Sequence, residues 1–163
     1  MLRRVMRLLA LTATLSALSA SSALAAKGGA GTETFTEHAH EVLLFSFSTE
    51  NQCTGAEGTL SAIAANEVFH ITTHADGDLW VTGTAEGTAT FVPFGPGVSY
   101  SGHFVNWFGE ALNQKNQVGH STGTFVLTGT DGSRVVIHMT SHLSTNAHGA
   151  VTVEFERSSV HCG

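Results

Sequence analysis

Val68-Phe69-His70-Ile71-Thr72-Thr73-His74-Ala75-Asp76-Gly77-Asp78-Leu79-Trp80-Val81-Thr82-Gly83-Thr84 is two alternating runs separated by Asp-Gly. Alternation with a period of two places successive side chains on opposite faces of a strand. Asp-Gly between such runs predicts a hairpin turned through a type I′ turn, because both residues tolerate positive φ. Asp131-Gly132 predicts a second hairpin of the same kind. The fold class follows from repeating this reading along the chain.

Outward from this hairpin, alternating runs lie near 40–49, 57–64, 66–75, 78–93, 98–108, 117–130, 133–144 and 150–160, separated by Gly, Pro, Asn and Asp. No segment carries a 3.6-residue period with caps. The expectation is an all-β domain, an antiparallel up-and-down β-barrel of about eight strands, with a β-sandwich as the alternative. In a barrel the first and last strands become neighbours. Odd positions carry Leu43, Phe45, Phe47, Phe69, Ile71, Val81, Val105, Trp107, Phe125, Leu127, Val135, Ile137, Met139, Val151, Val153 and Phe155. Even positions carry His70, Thr72, Thr82, His120, His138, Thr140 and His142, together with Trp80, Tyr100 and Phe104. The simplest assignment buries the odd face and solvates the even one. The alternative makes the even face a polar and aromatic lumen.

The N-terminus reads as a signal peptide over residues 1–26. Arg3, Arg4 and Arg7 form a basic start, an apolar stretch runs to about Leu24, and Ala23-Leu24-Ala25 is a cleavage site. Residues 27–39 read as a flexible lead-in and 40–163 as the domain. The expected product is secreted and extracellular, with no remaining stretch near the ~20 apolar residues of a membrane span. After cleavage, Lys27, Lys115, Arg134 and Arg157 stand against thirteen acidic residues, a net charge of about −9. That excludes nucleic-acid backbone binding, which needs clustered Lys and Arg. All ten histidines lie beyond residue 26, so this charge moves toward neutral below pH ~6.5, where free imidazole protonates. Two cysteines in an exported chain, Cys53 and Cys162, predict a disulfide. It would close a loop of about 109 residues, for which chain entropy allows ~4.7 kcal/mol.

Several constellations are candidates for chemistry. Val68 to His74 and Val136 to His142 match in residue type at every position. On opposite walls of a barrel, with the even face inward, His70, His74, His138 and His142 would look across a lumen and could take a metal or an anion. Two histidines at i and i+4 on one strand lie about 13 Å apart, so neither pair chelates alone. His38 and His40 lie about 6.6 Å apart if extended and read as surface residues. No Cys-x-x-Cys or helical His-Glu-x-x-His is present, and neither a metal nor a cofactor is expected. Gly119-His120-Ser121-Thr122-Gly123 fits the Gly-x-Ser-x-Gly pattern, but that motif acts only where a strand turns into a helix, and here strand continues. Trp107 reads as core. Tyr100, Phe104 and Phe108 read as a wall that, with Trp80, could stack on a ligand, with Glu110 at its rim.

The run from Asn66 to Gly163 resembles a family of small secreted actinobacterial proteins of uncharacterised function. The resemblance rests on Val68-Phe69-His70, Val81-Thr82-Gly83-Thr84, Gly102-His103-Phe104, Trp107-Phe108-Gly109-Glu110, Asp131-Gly132-Ser133, His138 with His142, and Cys162-Gly163. It implies export and a β-barrel but no activity. The strand pattern is also similar to calycin and allene-oxide-cyclase-type barrels in architecture alone. The leading expectation is a secreted barrel binding a small, partly apolar ligand through His70, Trp80, Tyr100, Phe104, His138 and His142. An isomerase or cyclase of a small hydrophobic substrate, needing a His or Glu of perturbed pKa, and an envelope-associated interaction protein without a pocket are the alternatives.

Overall fold

The computed structural model describes residues 31–113 and 115–163; the expected signal peptide and cleavage site lie outside them. The described chain is all β: β1 (Glu33–Ala39), β2 (Val42–Glu50), β3 (Glu57–Thr73), β4 (Leu79–Pro93), β5 (Tyr100–Leu112), β6 (Asn116–Gly129), β7 (Arg134–Asn146) and β8 (Val151–Cys162). All pairings are antiparallel, in one sheet ordered β1-β3-β4-β5-β6-β7-β8, with β2 also on β3. No helix among the described residues is long and apolar enough to cross a membrane.

The strand inventory differs from expectation at both ends of β3. The runs at 57–64 and 66–75 are one strand of 17 residues, with a register shift between Ala64 and Asn66. Residues 33–39, expected as part of a flexible lead-in, form β1 instead, pairing with Glu67–Thr73. β2 pairs with the other half of β3, Glu57–Ala64. The break between β1 and β2 falls at Glu41, whose φ is 55°. Beside it, His40 Nδ1 lies 3.1 Å from Asn66 Oδ1, at the bulge of β3. Two short strands thus share one edge of a long one.

The hairpins sit where Asp-Gly placed them, in a different turn. Gly77 N donates to His74 O at 2.9 Å and His74 N to Asp78 O at 2.8 Å, with positive φ at Gly77 and not at Asp76. Gly132 and Gly149 repeat the pattern, donating to Gly129 O and Asn146 O. These are three-residue hairpin loops closed by a left-handed glycine, which need positive φ once rather than twice. Asp76 and Asp131 accept from the backbone N–H two residues on.

The two faces of the sheet differ sharply. Because directly opposite residues share a face, the numbering of the inner face follows the register. It is odd on β4 (Val81, Ala85, Ala89, Phe91), even on β5 (Tyr100, Phe104, Phe108), and odd again on β6 and β7. The pairing of Phe91 with Tyr100 makes the switch. Trp107, expected in the core, is therefore 41% exposed, while Phe104 is 1% exposed at its centre. Val105, Val151, Val153 and Phe155 are likewise exposed. The inner face buries one cluster around Phe91, Phe104, Phe125 and Leu127 and a second around Phe69, Ile71, Val81 and Phe108.

The sheet curls enough to bring the ring of Phe45 on β2 within 6.2 Å of Phe125 on β6. Its hydrogen-bonded circuit stays open, since β8 ends the strand order and β1 and β2 occupy the other edge. The expected pairing of first and last strands is not made. A disulfide instead ties the end of β8 to the loop between β2 and β3, with the Cα atoms of Cys53 and Cys162 5.7 Å apart across 109 residues of sequence.

Candidate functional site

The inner face does not fill completely near the bridged end. A cavity of about 80 Å³ lies between β2, β3 and β4 on one side and β6, β7 and β8 on the other. At ~10–15 Å³ of such volume per water, it would hold about five to eight waters. Phe45, Phe47 and Leu60 line one wall, Phe125, Ile137 and Met139 the other, and Val160 closes the side toward β8. Phe45 packs on Phe47 at 5.1 Å, and Phe104 stacks behind Phe125 at 5.6 Å, so the aromatic walls are braced from behind. Most of the polar groups gather at the mouth, where Thr49, Glu50, Asn51 and Gln52 lead from β2 into the loop carrying Cys53, with Ser158 on the β8 wall. That loop is fixed by the Cys53 N–H donating to Asn51 Oδ1 at 2.9 Å and by the disulfide itself.

Beyond the cavity, the far half of the inner face holds one buried and one half-buried carboxyl. Glu67, 6% exposed, stands between Ala39 on β1 and Ala85 on β4. Burial raises its pKa above the ordinary carboxylate value. Glu110 lies on β5 beside Val81 and Gly119. Burial raises its pKa too, against the opposing effect of a hydrogen bond donated by Gln117 Nε2. Glu110 is thus an inner-face strand residue rather than a loop rim group.

The six residues expected to form one site divide between the two faces. Tyr100 and Phe104 are core, and Tyr100 Oη is hydrogen-bonded to Ser133 Oγ at 3.0 Å. His70, Trp80, His138 and His142 belong to the outer face. His70 Nδ1 lies 3.0 Å from Thr36 Oγ1 and His138 Nδ1 3.0 Å from Thr124 Oγ1. Trp80 is 56% exposed and meets the ring of His74 at 5.3 Å. His142 sits opposite His120, whose ring packs on Trp107 at 4.6 Å. Strands β4, β5 and β6 separate the β3 histidines from those of β7. No group of three or more metal-ligating side chains comes together among the described residues. Gly119 to Gly123 stays inside β6, where Ser121 Oγ is 2.8 Å from Ser141 Oγ, so no nucleophile elbow forms.

The chain matches no family model, curated protein or solved structure searched. The geometry alone therefore carries the functional reading. Most of the cavity walls were visible as apolar odd positions, Leu60 and Val160 being the exceptions, but alternation cannot distinguish a packed face from one with a hollow in it. Glu67 carried a usable signal, standing in step with Phe69 and Ile71 on a face that is otherwise apolar.

Proposed function

We propose that this is an exported protein that binds a small, largely apolar ligand in the chamber between β2 and β6–β8. The observation that carries the reading is the cavity, with largely apolar walls and most of its polar lining at one end, the division that small-molecule sites show. The leader-like N-terminus and the disulfide support export, as does the resemblance to secreted actinobacterial proteins. The test uses the mature, oxidised protein and the neutral fluorescent probe N-phenyl-1-naphthylamine. Saturable binding, lost in Val160→Phe with the circular dichroism spectrum intact, is the expected result. No binding, together with a native mass equal to the bare chain from its own host, would overturn the proposal.

An isomerase or cyclase is the second reading, favoured by Glu67 and Glu110. Burial raises both pKa values, the direction that suits a carboxyl to proton transfer, and both side chains share the inner face with the chamber. Turnover abolished by Glu67→Gln with ligand binding retained would select it over simple carriage.

A further inference from the structure

We infer that the chamber selects its ligand by sign of charge, taking a cationic amphiphile (an apolar body with one protonated amine) in preference to a carboxylate of the same shape. The inference rests on the binding reading above and adds the chemical class of the ligand.

The strand register sorts the ionisable side chains by face. Of the ten histidines, seven lie on strands, and all seven fall on the outer face; His40, His74 and His148 are in connections. Arg134 and Arg157 share that outer face, paired with Thr128 and Thr140. Lys115 is in the turn between β5 and β6, at the end of the sheet away from the cavity mouth. The inner face of the described strands thus carries no Lys, Arg or His, while Glu67 and Glu110 are on it. At the mouth, Glu50 is the charged residue that lines the entrance; the register puts it and its direct cross-strand partner Glu57 on the outer face, at the rim.

Two consequences follow for a bound polar group. A carboxylate entering with its tail on Phe45, Phe125 and Ile137 would leave water with no Lys, Arg or His among the residues lining the cavity to meet it, and would approach Glu50. An ammonium would meet the Glu50 carboxylate and relieve the like-charge pair that Glu50 and Glu57 form. A cleft lined by one sign of charge also concentrates the opposite ion before contact. Because Glu50 is exposed, solvent and salt screen the attraction. The expected discrimination between amine and carboxylate is about tenfold, made of a modest attraction and a comparable exclusion.

The experiment displaces N-phenyl-1-naphthylamine from the mature oxidised protein at neutral pH with octylamine, octan-1-ol and octanoate, which share a tail and differ in head charge. The expected order is octylamine, then octan-1-ol, then octanoate. The amine-to-carboxylate gap should narrow in about 0.5 M salt. Glu50→Gln should reduce the octylamine advantage while leaving octan-1-ol unchanged. Octanoate displacing as well as octylamine, or Glu50→Gln leaving the advantage intact, would overturn the inference while the chamber reading stands. A probe that does not bind, or that Val160→Phe does not expel, overturns the chamber reading and the inference with it.

Discussion

Glu67 shows how one side chain sets a pH dependence for the whole fold. Its carboxyl faces Ala39 and Ala85 rather than water, so folding favours the protonated form and its folded pKa lies above the unfolded one. Stabilisation from such a group is complete below the unfolded value and is lost as pH rises through the folded value. Glu110 acts in the same direction. Glu67→Gln should therefore raise stability at pH 7 by about 1 kcal/mol and flatten its rise on mild acidification, measured by urea unfolding at several pH values. The outer histidines make the complementary case. His70→Ala, His138→Ala and His142→Ala should leave probe binding unchanged, since none approaches the cavity. At this scale the sequence misleads where residue types are ambiguous: Trp107 and Phe104 are equally apolar on paper, and only the register decides which is inside.

Strands and their connections were legible in proportion to how local their causes are. The turns at Asp76-Gly77 and Asp131-Gly132 declare themselves because a left-handed position needs glycine. β1 did not, because Glu33-Thr34-Phe35-Thr36-Glu37-His38-Ala39 has one large apolar side chain and becomes a strand by pairing with β3. The bulge at Ala64 to Asn66 reads as a turn between two strands, and only the continuing ladder with β4 shows it to be a kink within one. Gly83 illustrates a requirement that belongs to the strand pair. It lies opposite Phe108, and a Cβ there would come within 2.7 Å of Val68 O and 2.9 Å of Phe108 Cε2. Gly83→Ala should cost about 1–3 kcal/mol through overpacking, read from the urea midpoint. Gly119→Ala is the control: a Cβ there meets nothing within 4 Å, and its effect should stay within about 0.5 kcal/mol.

At the scale of the whole, the described residues form a curled sheet with two unjoined edges. Both edges carry acidic side chains, Glu33 and Glu37 on β1 and Glu154 and Glu156 on β8, and like charges brought opposite one another oppose pairing. No reading of single strands reports closure, which depends on accumulated curl and on what the two edges present. The cysteine pair was legible because compartment and count predict it. Removing it as Cys53→Ser with Cys162→Ser should cost about 2–5 kcal/mol, measured by thermal unfolding. It should also weaken probe binding, because the loop carrying Asn51 and Gln52 loses its anchor.

That bridge also determines how the chain responds to force. It links the C-terminal strand to residue 53, so tension applied between the two ends bypasses everything from Thr54 to His161. Only the segment before Cys53 lies in the load path, and there β1 and β2 are strand-paired to β3 alone. Stretched end to end, the oxidised protein would release the roughly twenty described residues before Cys53, about 75 Å of contour length, and then stop. The chamber walls contributed by β3 to β8 would remain folded beneath the load.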